Sequence, residues 1–139
     1  MTMSDGYRAL LLKEFDHVVE KLAGEGRPDE KMYYFSALHG AVNRILNFEC
    51  SADLVYLHHI LNSTFTAFNG RVQAMLQGME AAVKLDNAIF GKLVDATREL
   101  AEVIRIDGDP STVYRQLINL AYATTGNGYY LFEKGSLRI

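Results

Sequence analysis

The sequence predicts an all-α protein: one elongated up-down bundle of four to five helices, followed by an irregular or short-hairpin C-terminal tail. Three observations carry this reading. Apolar residues recur with a helical period of 3.6 from residue 7 to residue 121. Only two prolines occur in 139 residues, and both stand in glycine- or aspartate-containing turns. That length supports one hydrophobic core and is too short for two. Residues 1–125 are therefore read as a single domain and 126–139 as a tail or arm.

In the first helix Tyr7, Leu11, Phe15, Val18 and Leu22 form one face, with Ser4 and Asp5 suited to its start. Gly24, Gly26 and Pro28 mark the turn that ends it. Asp29 and Glu30 place carboxylates at the positive end of a second helix, whose apolar positions are Tyr34, Leu38, Ala41, Ile45 and Phe48. Ser51 caps a third helix, with Asp53 in its first turn. Its stripe is Leu54, His58, Leu61, Phe65, Phe68, Val72, Met75 and Met79, and the register passes Gly70 unchanged. A continuous helix over 52–79 spans about 42 Å at 1.5 Å per residue. A compact domain of this length is only about 37 Å across, so an elongated bundle follows.

Asp86 can cap the fourth helix, with Leu85 and Phe90 as a hydrophobic staple and Ile89, Leu93, Ala96, Leu100 and Val103 on the buried face. "DGDPST" at 107–112 ends that helix and starts a fifth, with Asp109 as cap and Pro110 at the first position. Val113, Leu117, Leu120 and Ala121 carry it to "TTGNG" at 124–128. The tail "YYLFEKGSLRI" reads as a hairpin about Lys134-Gly135 or as an arm lying on a neighbour. An isolated hairpin is marginally stable, which favours the arm.

Apolar residues make up 49% of the chain and charged residues 22%, the balance of a globular protein. With a net charge of −3 and 14 Lys plus Arg, no broad basic field exists for nucleic acid. Cys50 is the only cysteine, which excludes an intrachain disulfide or thiolate cluster. The first residues lack a basic region before their apolar run, and no uncharged run approaches the roughly 18 residues that cross a bilayer. A cytoplasmic location without membrane contact is expected.

Charge is unevenly spread. Residues 32–70 hold only Arg44, Glu49 and Asp53, where a charged fraction of 22% would place roughly nine. Ser36, Gly40, Asn43 and Asn47 make one uncharged polar stripe; His59, Asn62, Ser63, Thr66, Gln73 and Gln77 make another. A helix without a charged face is usually covered by other protein. Two such helices in so small a chain predict self-association through the second or third helix.

The candidate chemistry is sparse. Glu14 and His17 have the Glu-x-x-His spacing of carboxylate-bridged di-metal bundles, but that motif works in two copies and here occurs once. His58 and His59 are adjacent and so point about 100° apart on a helix, a poor chelating pair. The stripe predicts that His58 is buried, neutral and hydrogen-bonded to a protein group, and that His59 is more exposed. His39, one turn before Asn43, could meet His58 or His59 and Glu49 in a mixed site for metal or general-base chemistry. The tyrosine-rich stretches "MYYF" and "GYYLF" lack the basic groove of single-strand binders and read as core or interface packing. "GNG" follows a helix and "DGD" lacks the other ligands of a calcium loop, so both are turns.

The expected function is that of a non-catalytic, homo-oligomeric binding or adaptor module, with no cofactor and with a further protein partner possible. Its binding residues would be His39, Asn43, His59, Asn62 and Thr66. Two alternatives stand beside it. One is a metal-dependent enzyme, hydrolase-like or ferritin-like, using Glu14, His17, His39 and His58. The other is a small-molecule-binding regulator whose cavity lies between the polar stripes of the second and third helices.

Overall fold

A computed structural model describes residues 3–78 and 87–125. It shows five helices, α1 (Asp5–Ala23), α2 (Pro28–Leu46), α3 (Ala52–Leu76), α4 (Asn87–Arg105) and α5 (Ser111–Thr125), and no strand among the described residues. The all-α class is as the helical period predicts. The expected Asp86 cap, the Leu85–Phe90 staple, Met79 and the 126–139 tail lie outside the described residues.

The helices close into a ring. α1 packs on α2 and α4, α2 on α3, α3 on α5, and α5 on α4. The order around the bundle is therefore α1, α2, α3, α5, α4. Named contacts fix the directions. The Ser4 backbone N–H donates to Glu49 at 2.9 Å, so α1 starts where α2 ends. Arg105 meets Asp16 at 3.4 Å and Arg8 meets Asp107 at 3.6 Å, so α4 runs antiparallel to α1. Tyr56 lies against Tyr114 near the starts of α3 and α5, and Arg71 donates to the Thr124 carbonyl near their ends. Those two neighbours are parallel. The base of the bundle thus carries the N-termini of α1, α3 and α5, and the helices alternate up and down along the chain.

Large side chains fill the ring. Phe15, Phe35 and Phe68 are fully buried with Leu11, Leu22, Leu38, Leu61, Leu93 and Leu100. Phe68 of α3 meets Phe90 of α4 edge-on at 6.0 Å, across the interior rather than between ring neighbours. Interdigitated aromatics of this kind supply much of a small core's burial energy.

The first helix buries Leu11, Phe15, Val18 and Leu22 as its spacing requires. α2 is rotated from its expected face. Met32, Phe35, Leu38, Val42 and Ile45 are buried, whereas Phe48 lies beyond the helix end, 76% exposed, stacked on Tyr7 at 6.1 Å. α3 shows a similar correction. Leu54, Leu61, Phe68 and Val72 are buried as expected, but Leu57, Ile60 and Thr64 join them in place of His58 and Phe65, and Met75 is exposed. Thr64 hides the true face from a hydropathy reading, because its hydroxyl donates to the Ile60 carbonyl at 2.8 Å and so carries no unmet polar demand. Thr97 in α4 does the same toward Leu93 at 2.6 Å.

Helix ends follow local chemistry. Ser51 Oγ accepts from the Leu54 N–H at 3.2 Å, the bond expected of a cap. Ser4 occupies the N-cap position of α1 without a side-chain cap bond. Pro28 is the first residue of α2, with Asp29 and Glu30 in the first turn beside Arg27. Asp109 Oδ1 accepts from the Ser111 N–H at 3.0 Å and the Ser111 hydroxyl at 2.6 Å, so Pro110 stands just before α5 rather than at its first position. α3 runs unbroken through Gly70, spanning about 37 Å. It stops at Leu76 rather than residue 79, where Gly78 takes φ +73°, a conformation open to glycine.

Candidate functional site

The sequence-derived candidates fall in three separate places. Glu14 and His17 are exposed on α1, with the His17 ring edge-on to Tyr34 of α2 at 5.8 Å. His39 and His58 meet at the seam between α2 and α3, rings edge-on at 6.0 Å, and Phe65 lies 5.3 Å from His39. Glu49 is not part of that seam. It sits at the base past the end of α2, where the Ser4 bonds hold its carboxyl below the usual carboxylate range. Among the described residues no three His, Cys, Asp or Glu side chains converge on a point that could hold a metal ion. Neither the Glu14/His17/His39/His58 set nor the mixed His39–Glu49 site is assembled by the fold.

His58 differs from expectation in one respect. It is half-buried rather than buried, and its side chain makes no hydrogen bond among the described residues. The rotation of α3 explains this, since Leu57 takes the inward position and turns His58 toward α2. His59 is exposed, as expected. The more constrained imidazole is His39, whose Nε2 is buried without a hydrogen-bond partner. Burial lowers its pKa, and the positive charge of a protonated His58 lowers it further.

The five expected binding residues are divided by α3. His39 lies in the seam with α2, and Asn43 is exposed on α2. Asn62 and Thr66 line a groove on the other side, against α5, with Ser63, Ala67, Gly70 and Tyr122, enclosing about 730 Å³. His59 stands one turn before Asn62 and Ser63 on the same exposed strip. The groove these residues line lies between α3 and α5, rather than between α2 and α3.

A second concavity at the base was not legible in the sequence. Asp53 and Tyr56 of α3 face Ser111, Tyr114, Arg115 and Ile118 of α5 across a cleft of about 470 Å³. The rings of Tyr56 and Tyr114 are 5.4 Å apart. Tyr114 is 7% exposed, its hydroxyl is buried without a partner, and burial first, then the charge of Asp53 and the Tyr56 phenol, push its pKa upward. These residues come from parallel helices almost sixty positions apart, and nothing in either segment announces the other.

The ring order also sorts charge. α2 carries one charged side chain after its first turn, Arg44; α3 carries none from Leu54 to Gly70; α5 carries only Arg115. These three helices are consecutive around the ring. α1, with Asp5, Arg8, Lys13, Glu14, Asp16, Glu20 and Lys21, and α4, with Lys92, Asp95, Arg98, Glu99, Glu102 and Arg105, form the other half. The bundle is two-sided: one half charged, the other nearly free of charge.

Compared with protein-family models, with curated proteins and with solved structures, the chain matches none. No helix of the described residues is long and apolar enough to cross a membrane. Function is therefore read from the site's own chemistry.

Proposed function

We propose that the protein is a non-catalytic binding module that associates with a second copy of itself through the uncharged half of the bundle, centred on the outer strip of α3. The observation that carries this is the segregation of charge: α2, α3 and α5 stand side by side and leave one face almost without ionised groups. That face also exposes apolar side chains, with Tyr33 74%, Val55 50%, Tyr56 52% and Ile118 49% accessible. Water-facing surface normally disperses such residues among charges.

A second copy is the fitting occupant for a physical reason. A two-fold interface brings each patch against itself, so a face with ionised groups of one sign would repel its own image. Here the chain's net charge of −3 is carried elsewhere. Three adjacent helices at 8–10 Å spacing, over the roughly 25 Å from Leu54 to Gly70, present on the order of 700 Å². That is close to the roughly 800 Å² per partner of a stable complex. The exposed polar groups of the strip, His59, Asn62, Ser63 and Thr66, are short and uncharged and can exchange hydrogen bonds across a two-fold axis.

Gly40 and Gly70 support the same face. Both sit inside helices, and a Cβ built on either meets nothing within 4 Å. Neither glycine is needed by packing within the chain, although each costs its helix about 1 kcal/mol relative to alanine. Both leave room for the backbone of an approaching helix. Sedimentation equilibrium at tens of micromolar is expected to show a dimer, and the Asn62→Glu/Thr66→Glu variant a monomer of unchanged helicity. A monomeric parent chain, or a dimer indifferent to that pair of substitutions, would overturn the proposal.

A further inference from the structure

Three of the chain's four histidines, His39, His58 and His59, stand on the half of the bundle that is otherwise almost free of charge. His39 and His58 face each other at the seam between α2 and α3, with ring centroids 6.0 Å apart, and His59 is exposed on the outer strip of α3. The fourth, His17, lies on the charged half, on α1. An imidazole ordinarily titrates near 6.5, so histidines can turn a neutral face positive within the physiological pH range.

The surroundings offer an imidazolium little support. His39 Nε2 is buried without a hydrogen-bond partner, so a proton placed there has no acceptor. The cations on these helices, Lys31 and Arg44 on α2, Arg71 on α3 and Arg115 on α5, add to positive charge rather than relieve it. From α1, across α2, His17 and Lys21 both lie against Tyr34. The carboxylates on this half stand at helix ends and are already engaged. Asp29 and Glu30 pair with Arg27, Glu49 accepts from Ser4, Asp109 caps α5, and Asp53 in the first turn of α3 has its own partner. Tyr56, Tyr114 and Tyr122 are the phenols that α3 and α5 add.

We infer that protonation of His39, His58 and His59 releases the two copies from each other, so that the uncharged face is an acid-sensitive contact. The switch presupposes the self-association through α2, α3 and α5 proposed above. A two-fold contact centred on the α3 strip gathers the three imidazoles of each copy against those of the other. Enclosing a neutral imidazole costs little. Enclosing an imidazolium strips water from a charge that has no carboxylate to pair with, and like charges on the two copies oppose each other. His39 shows the first effect within a single copy, where burial and then a protonated His58 lower its pKa. The associated pair therefore holds fewer protons than two free copies, and its dissociation constant rises as pH falls through the imidazole range. Net charge alone predicts the opposite sign. A chain at −3 approaches its isoelectric pH of 5.8 on acidification, its copies repel less, and association tightens.

The test is the dimer dissociation constant of the full chain, measured by sedimentation at about pH 7.5, 6.5 and 5.5 and constant ionic strength, with circular dichroism at each pH. The constant is expected to rise at least about tenfold from the first pH to the last while helicity holds. The His39→Gln/His58→Gln/His59→Gln variant should stay dimeric throughout. His59→Gln alone, an exposed substitution that the fold tolerates, should reduce the pH effect by a factor of about two or more, and His17→Gln should leave it unchanged. A constant that is flat or tightens toward pH 5.5 overturns the switch, as does a pH effect that survives His59→Gln undiminished or a loss of helicity over the same range. A dimer at pH 7.5 with a flat profile leaves the self-association intact, whereas a monomer at pH 7.5 removes both.

Discussion

At His39, burial and a neighbouring imidazole act in the same direction. Both disfavour the protonated ring, so its pKa falls below the ordinary 6.5. Between that value and the lower folded-state value, the unfolded chain binds more protons than the folded one, and stability then rises with pH. The contribution is complete above about pH 6.5 and is lost as pH falls toward the folded-state pKa. Denaturant unfolding across pH 5–8 should show this fall, and His39→Gln should flatten it; an unchanged slope in the variant would refute the assignment. Thr64 behaves differently. Its hydroxyl is bonded to the Ile60 carbonyl of its own helix, so Thr64→Val should shift stability by less than about 1 kcal/mol. Tyr114→Phe should stabilise by about 1 kcal/mol, since the buried hydroxyl it removes has no partner to lose.

At the scale of the helix, α3 concentrates the informative tests. Ser51 accepts from the Leu54 N–H, and Ser51→Ala should cost about 1 kcal/mol by leaving that donor without its partner. Loss of less than about 0.3 kcal/mol in urea unfolding would show that water replaces the cap. Gly70 lies in mid-helix with open space where a Cβ would stand. In a monomeric background Gly70→Ala should therefore stabilise by roughly 0.5–1 kcal/mol. In the proposed dimer the same methyl group would stand on the docking face, so it should weaken association. Opposite signs for folding and for association would place Gly70 at the interface; equal signs would remove it.

For the whole molecule, the arrangement of charge sets the expected response to salt. An interface built on ion pairs weakens as salt screens them. The face formed by α2, α3 and α5 has few charges to screen, while two copies at −3 each repel. Raising salt from about 50 to 500 mM should leave the dissociation constant of the proposed dimer unchanged or tighten it, because only the long-range repulsion is removed. A tenfold weakening, measured by sedimentation, would point to ion pairs from α1 and α4 instead.

The sequence by itself determined the all-α class, the continuity of α3 through Gly70, the Ser51 cap and the dearth of charge over 32–70. Each depends on residues within a turn or two of one another, where helical geometry leaves little choice. It was less reliable on faces. The expected stripe of α3 differed from the buried one at His58, Phe65 and the exposed Met75, because a helix clasped on two sides buries a broad arc whose centre no single period specifies. A satisfied threonine such as Thr64 also counts as core while reading as polar. Only the tertiary structure decided that α5 inserts beside α3, ahead of α4 in the ring. That one choice gathers the uncharged helices onto a common face and brings Asp53 and Tyr56 opposite Tyr114 and Arg115. Helices separated along the chain can neighbour each other in several orders at similar local cost, and which order wins is settled by how the ring's interior fills around Phe15, Phe35, Phe68 and Phe90.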